Sequence, residues 1–145
     1  MKEHYELYEH VFQDAEMACF TITKLLEDLK EKDNKIKGLL EEILKEYESY
    51  KEKAEALLAE GGQEVKEKGM MSKMMAGMGI KKEVINDNSD SSIADMMIQG
   101  ISMGSIESEK KISTYEKEVE KGQLKFVKDF LKFQQKAIEN LKKYL

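Results

Sequence analysis

Hydrophobic residues recur at steps of three and four along four separate segments of the chain. This spacing places them on one side of an α-helix, so the pattern predicts four amphipathic helices. The apolar stripes run from Tyr5 to Leu29, from Ile36 to Leu57, from Ala94 to Val119 and from Leu124 to Leu145. We therefore expect helices over residues 3–31, 34–60, 92–120 and 123–144.

Polar residues and one glycine mark the expected helix ends. Asp33 follows the first stripe and can cap the start of the second helix. Ser92, with Asp95 three residues later, imitates a capping box at the start of the third helix. Gly122 suits the C-terminal cap of the third helix, because the apolar stripe slips in register beside it.

The segment 61–91 between the second and third helices differs in composition, with five glycines and five methionines within residues 61–85. It predicts a long connection that contains a short helix. Amphipathic helices bury their stripes against one another, so we expect one all-α domain over residues 1–145, an antiparallel four-helix bundle. A connection that runs along the bundle gives a ferritin-like order of helices, and a lid over one end gives the alternative up-down bundle.

Gln134 interrupts the aliphatic stripe of the fourth helix, and the other stripes also carry neutral polar groups near their middles. By distance from the helix midpoints, Cys19, Tyr47, Gln134 and either Ser105 or Ser108 fall at similar heights. Hydrogen bonds among such groups make their burial tolerable, so we interpret them as a network that fixes helix register. A remnant of a cofactor pocket is the alternative interpretation.

A ferritin-like di-metal site needs Glu-x-x-His ligands on two helices. The two histidines are His4 and His10, and neither has a glutamate three residues earlier. Glu16 and Glu107 lie near the middles of their helices and are weak candidates for carboxylate ligands, as is a peripheral group of His4, Glu6 and His10. We expect solvent-exposed side chains at these positions, and no cofactor.

Four methionines of the connection, Met71, Met74, Met75 and Met78, share one helical face. Flexible thioether side chains fill irregular gaps, so this face can pack over the bundle. It can also bind a partner or a second subunit, as adaptable methionine surfaces do. Binding of Cu(I), of haem or of a membrane surface is a further interpretation.

A second apolar row on the fourth helix contains Phe126, Phe130 and Phe133. With the main stripe, this row makes about half of the helix circumference apolar. The third helix, the segment 61–85 or a second subunit has to cover it. We expect an interaction surface here, in a homodimer.

The stretch "SSIADMMIQGISMGSIES", residues 91–108, combines glycines and serines in a helical context. Gly100 and Gly104 form a Gly-x-x-x-Gly ridge beside Ser105 and Ser108. Small residues let helix backbones approach closely. Because glycine costs a helix about 1 kcal/mol relative to alanine, the pair predicts that this face of the third helix is closely packed.

Composition excludes several classes of function. The 145 residues carry a net charge of −5, which argues against nonspecific nucleic-acid binding. No apolar run approaches the roughly 20 residues that span a membrane. Cys19 is the single cysteine, so no intrachain disulfide forms, and its place on an apolar stripe predicts a buried, unreactive thiol. The single cysteine fits a reducing cytoplasm, so we expect a cytoplasmic protein. No Ser-His-Asp, Cys-His, P-loop or dinucleotide pattern is indicated, so we expect that it is not an enzyme.

The third segment also carries a resemblance to a known family, in the residues Asp95, Met96, Met97, Gly100, Met103 and Gly104. With its two helical hairpins and long link, the chain resembles uncharacterised bacterial proteins of the ferritin-like superfamily. The resemblance implies a ferritin-like bundle over the whole chain and no established activity. Because the Glu-x-x-His ligands have no matching positions, it implies no metal ligands and no ferroxidase role.

These observations favour a non-enzymatic helical-bundle protein that acts by self-association or by binding a protein partner. The alternative is an atypical metal-binding or redox-linked ferritin-like protein that uses carboxylate ligands.

Overall fold

The structure, a computed structural model, describes residues 4–64 and 88–145. These residues form four α-helices: α1 (Glu6–Asp28), α2 (Lys37–Glu60), α3 (Asp90–Tyr115) and α4 (Lys121–Lys142). The described part of the chain contains no strand, so the prediction of an all-helical fold is confirmed there. The predicted short helix of the 61–91 connection lies mostly outside the described residues.

Each helix buries the face that its apolar spacing predicts, with shifts of one position in places. On α4 the buried residues follow steps of three and four, at Val127, Phe130, Gln134, Ala137 and Leu141. This repeat keeps them on one side of the helix. The buried side chains of the four helices form a single hydrophobic core.

The helices pack as two pairs. α1 packs mainly on α2, and α3 packs mainly on α4. α1 also touches α3 and α4, and α2 also touches α4, whereas α2 and α3 do not pack along their lengths within residues 4–64 and 88–145. The described chain is therefore a helical bundle in which α2 and α3 lie diagonally opposite. None of the described helices is long and apolar enough to cross a membrane.

The start of α3 lies earlier than predicted. Ser89 is its N-cap, and the Ser89 hydroxyl accepts a hydrogen bond of 3.1 Å from the backbone N–H of Ser92. Ser92 is therefore inside the helix and is not the cap. Helix α3 ends at Tyr115, and Gly122 lies in the first turn of α4, so the prediction that Gly122 caps α3 is wrong.

The predicted cap of α2 is also wrong, because the N-cap residue is Ile36 and no side chain caps it from within the turn. An acceptor from α3 takes that place. The Asp90 carboxylate accepts hydrogen bonds from the backbone N–H groups of Lys35, at 3.2 Å, and of Ile36, at 3.4 Å. The Asn34 amide also donates to Asp90, at 3.0 Å, and to the backbone carbonyl of Asn88, at 2.7 Å. These bonds join the first turn of α3 to the start of α2.

Replacing Asp90 by alanine tests this junction. Three donors lose their acceptor, so Asp90→Ala should lower the free energy of unfolding by about 1–2 kcal/mol, measured by urea denaturation. Asp95→Ala is the matched control, because Asp95 is an exposed carboxylate on the same helix. It should change stability by less than about 0.5 kcal/mol. Equal losses in the two variants would contradict the junction.

Candidate functional site: a buried polar layer and a groove between α1 and α3

Hydrogen bonds connect side chains of all four helices inside the bundle. The Ser108 hydroxyl donates to Gln134 Oε1 at 3.0 Å, and Gln134 Nε2 donates to Asp14 Oδ2 at 2.7 Å. Gln134 Nε2 also lies 3.5 Å from the Tyr47 hydroxyl, and His10 Nε2 lies 2.8 Å from Ser108 Oγ. Ser108 and Gln134 are fully buried. We call these five residues the polar layer.

The direction of each hydrogen bond in the polar layer follows from Asp14. An ionised carboxylate only accepts, so the nitrogen of the Gln134 amide must face it and the amide oxygen must face Ser108. The single hydroxyl hydrogen of Ser108 then goes to Gln134. His10 has to donate from Nε2, because Ser108 has no hydrogen left for it. His10 therefore carries a hydrogen on Nε2, whether its ring is neutral or charged.

Tyr47 closes the layer on the α2 side. Its side chain is 1% exposed, and its ring meets the ring of Phe133 edge-on, at a centroid distance of 4.8 Å. Burial raises the pKa of the Tyr47 hydroxyl, and the negative charge of Asp14 raises it further. Tyr47 therefore stays protonated and neutral at any physiological pH.

The His10–Ser108 pair has the separation of a base and a nucleophile, an arrangement that the sequence did not predict. Two features distinguish this pair from a catalytic base and nucleophile. The Ser108 hydrogen is directed to Gln134, away from His10, and the Ser108 side chain has no exposed surface in the described structure. A substrate cannot reach this oxygen while the polar layer is intact.

Gly104 gives Asp14 access to the layer. A Cβ atom at position 104 would lie 2.6 Å from Asp14 Oδ2 and 2.9 Å from Gln134 Nε2, well inside van der Waals contact. The bond between these two side chains passes directly over the backbone of α3. A larger residue at 104 would displace one of them.

Gly100 does not have this role, so the prediction of close packing is wrong at that position. Gly100 is exposed, and no described atom lies within 4 Å of a Cβ built there. The ridge therefore has one tightly packed glycine and one open glycine. Ser105 is buried, and its hydroxyl donates to the carbonyl of Ser102 on its own helix, at 3.0 Å.

The polar layer contains three members of the network predicted from the sequence, together with two residues that were not predicted as members. The structure brings together Tyr47, Ser108 and Gln134, whereas Ser105 and Cys19 form no hydrogen bond with them in the described structure. Sequence reasoning missed His10 and Asp14. Their i, i+4 spacing places both on one face of α1, but it does not determine whether that face turns inward.

Cys19 is half-buried, less enclosed than expected. Burial raises the pKa of its thiol to about 11, and the nearby Glu48 contributes in the same direction. Desolvation of the thiolate is therefore a physical reason for the low reactivity that the sequence predicts.

The candidate metal ligands lie in different environments. Glu16 is 5% exposed, whereas Glu107 is exposed and lies 3.6 Å from the ammonium of Lys110. His4 and His10 are half-buried, so the expectation of solvent-exposed side chains is wrong for Glu16 and for both histidines. His4 lies 3.3 Å from Glu6 and 3.4 Å from Glu118. Among the described residues, no three histidine, cysteine or acidic side chains converge as metal ligands would.

The aromatic row of α4 is largely covered from within the chain. Phe130 is completely buried, and its ring lies 5.1 Å from that of Tyr50. Phe133 stacks on Tyr50 at 5.6 Å, and Phe126 lies 5.7 Å from Tyr8. The prediction that this row forms an interaction surface is therefore wrong for Phe130, and α2 provides most of the cover.

A groove of about 530 Å³ runs between α1 and α3, and we call it the α1–α3 groove. It extends from Glu6 to Met17 on α1 and from Gly100 to Lys111 on α3. Two large apolar side chains of α3, Met103 and Ile106, are 71% and 50% exposed. Met103 lines the groove, and Ile106 is one turn further along the helix.

The charged groups of the α1–α3 groove are mostly acidic. Among the described residues that line it, four carry carboxylates, Glu6, Glu9, Asp14 and Glu107, and one carries an ammonium, Lys111. Burial raises the pKa of Glu6, but hydrogen bonds from its own backbone N–H and from the His4 side chain outweigh this and keep the pKa below its ordinary value. Glu6 is therefore ionised at neutral pH.

The methionine face Met71, Met74, Met75 and Met78 lies outside the described residues. It stays a prediction.

Comparisons of the chain with models of known protein families, with curated proteins and with solved structures gave no match. The fold and the hydrogen bonds of the described residues define the class of protein, an all-helical bundle with a buried polar layer.

The two glycines of α3 offer a matched test of the polar layer. Gly100→Ala should raise the free energy of unfolding by up to about 1 kcal/mol, because the site is open and alanine favours the helix. Gly104→Ala should lower it by about 1–2 kcal/mol, because the new methyl group separates Asp14 from Gln134. Urea denaturation of both variants measures the difference. Equal stabilisation by the two alanines would contradict the close contact at Gly104.

The raised pKa of Cys19 predicts slow alkylation. At pH 8 about one thiol in a thousand is ionised in the folded protein, against about a quarter in an unfolded chain with an ordinary thiol pKa near 8.5. A thiolate of higher pKa is a better nucleophile, which offsets part of this difference. Iodoacetamide should still modify Cys19 at least about ten-fold more slowly in buffer than in urea. The native rate should also keep rising with pH up to about 11, and a plateau near pH 9 would contradict the shift.

Proposed function

We propose that the four helices follow the ferritin-like order, in which α2 and α3 run in the same direction. Contacts between α1 and α3 support it, since His10 meets Ser108 whereas Asp14 meets Gly104, which is an antiparallel pairing. Contacts between α1 and α4 advance together, from the Tyr8–Phe126 ring pair to the Asp14–Gln134 bond, which is a parallel pairing.

The ends of α2 and α3 agree with this order. The end of α2 at Gly61 lies against Tyr5, at the start of α1. The start of α3 at Asp90 bonds to Lys35 and Ile36, at the start of α2. The end of α2 and the start of α3 therefore lie at opposite ends of the bundle. This connectivity adds support to the resemblance to the ferritin-like superfamily, for which no ligand set is carried over.

The protein itself, in our proposal, is a non-enzymatic helical bundle that binds another protein molecule along the α1–α3 groove. The observation that carries the proposal is the exposure of Met103, of which 71% is accessible, beside a groove of about 530 Å³. Ile106, three residues further along α3, is a second large apolar side chain with 50% exposure. Large apolar side chains that cluster on a surface are typical of protein interaction sites.

The polar layer supports a role without catalysis. Its two groups with the chemistry of a nucleophile and a base, Ser108 and His10, are engaged in a hydrogen-bond chain that ends on Gln134 and Asp14. Such a chain holds helices in register, which a binding scaffold needs. A cytoplasmic location and a bacterial origin are further parts of the proposal, and they rest on the sequence alone.

A photo-crosslinking amino acid at position 103 tests the binding site in the cells that naturally produce the protein. If the α1–α3 groove is the binding site, irradiation should yield a discrete covalent adduct. An adduct of twice the chain mass identifies self-association, and an adduct of any other mass identifies a different partner.

The matched control carries the same crosslinker at position 52, where Glu52 is exposed on α2. This variant should give no adduct, or a different one. Identical adduct patterns from positions 52 and 103, or no adduct from position 103, would contradict the proposed site.

A further inference from the structure

The α1–α3 groove has the dimensions of a short helix. Its walls extend over residues 6–17 of α1 and residues 100–111 of α3. At 1.5 Å per residue, twelve residues span about 18 Å, or a little over three helical turns. A helix that lies in a groove between two helices presents apolar anchors at i, i+3, i+4 and i+7.

The surface of the groove offers places for such anchors. Met17 lies half-buried on the α1 wall, and Met103 lies largely exposed on the α3 wall. Gly100 leaves a notch between them, because no described atom lies within 4 Å of a Cβ built there. Flexible methionines beside a side-chain-free position let a partner helix approach closely.

The charge of the groove restricts the partner. Among the described lining residues, Glu6, Glu9, Asp14 and Glu107 outnumber one lysine, Lys111, which gives these residues a formal net charge of −3 with His10 counted as neutral. The Lys110 ammonium, outside this lining, lies 3.6 Å from Glu107 and offsets one of these charges, so the described groups together keep a formal net charge of −2. A partner with lysines or arginines beside its apolar stripe complements the groove.

A second copy of this chain does not complement it. In a symmetric dimer the same patch meets itself, so the four carboxylates of one groove would face the four of its partner. Like charges across an interface are unfavourable. The acidic lining therefore favours a different protein over self-association at this face.

We propose that the α1–α3 groove binds a basic amphipathic helix of about three turns, contributed by a partner protein. The inference rests on the proposed function and names the chemistry of its partner. Apolar residues of the helix would meet Met17, Gly100 and Met103, and its basic residues would face Glu9 and Glu107.

A synthetic peptide tests this chemistry on the full-length protein. The probe has 14 residues, with leucines at positions 1, 4, 5, 8, 11 and 12, lysines elsewhere and a fluorescent label. Fluorescence anisotropy should report saturable binding. A version with glutamate in place of every lysine, and a version of the same composition without the apolar stripe, should each bind at least about ten-fold more weakly.

Matched charge reversals locate the binding site. The double variant Glu9→Lys/Glu107→Lys should weaken peptide binding by at least about ten-fold. Glu52→Lys/Glu55→Lys changes the net charge equally on exposed positions of α2 and should alter affinity by less than about two-fold. Gly100→Leu places a side chain in the notch, where no atom of another described helix lies within 4 Å of the added Cβ, and should also weaken binding by about ten-fold while the helical circular dichroism stays unchanged.

Equal effects of the two charge reversals, or full binding by Gly100→Leu, would overturn the proposal. So would tight binding of the glutamate peptide. If position 103 forms a crosslink in cells and the peptide fails these tests, the proposed function stands and the basic helix is excluded. If the crosslink has twice the chain mass, self-association replaces the basic partner.

Discussion

Gln134 has to satisfy a donor and an acceptor at once in the interior of the bundle, and the relative positions of the helices depend on this requirement. Its side chain is fully buried, with Nε2 bonded to Asp14 on α1 and Oε1 bonded to Ser108 on α3. A buried polar group without partners costs about 1–3 kcal/mol. Sliding α1 or α3 along α4 by one turn, about 5.4 Å, would break the bond from Gln134 to that helix. Apolar contacts tolerate such shifts far better, so the polar layer selects one register from several that the hydrophobic stripes permit.

The same requirement explains a glycine within a long helix. Glycine at position 104 weakens α3 locally, by about 1 kcal/mol relative to alanine. In return the Asp14 carboxylate reaches Gln134 across the α3 backbone, at a place where a Cβ would lie 2.6 Å from the carboxylate oxygen. A charged hydrogen bond inside the bundle is worth more than the helix propensity that is lost. The Asp14–Gln134 contact therefore explains both the glycine that weakens α3 and the register of the helices.

The existence of four helices could be predicted from the sequence, because each amphipathic repeat is local and long. Gln134 was also predictable, since it is the one strongly polar residue in the stripe of its helix. His10, Asp14 and the burial of Phe130 were not. A stripe defines one direction on a helix, whereas α1 and α4 each touch all three other helices. Which additional polar or aromatic side chains turn inward depends on helix rotation, and one local pattern does not determine that angle.

Asp14 belongs to both the polar layer and the lining of the α1–α3 groove, and this shared position connects stability to binding. Its carboxylate is held at 2.7 Å by Gln134, so the charge at the base of the groove has a defined position before any partner arrives. A group that is already ordered loses little conformational entropy on binding. The open notch at Gly100 lies one helical turn from the tight contact at Gly104. A basic helix that binds in the groove would therefore contact a carboxylate that is already held in place. The specificity of binding would come from complementing this arrangement, without a rearrangement of the groove.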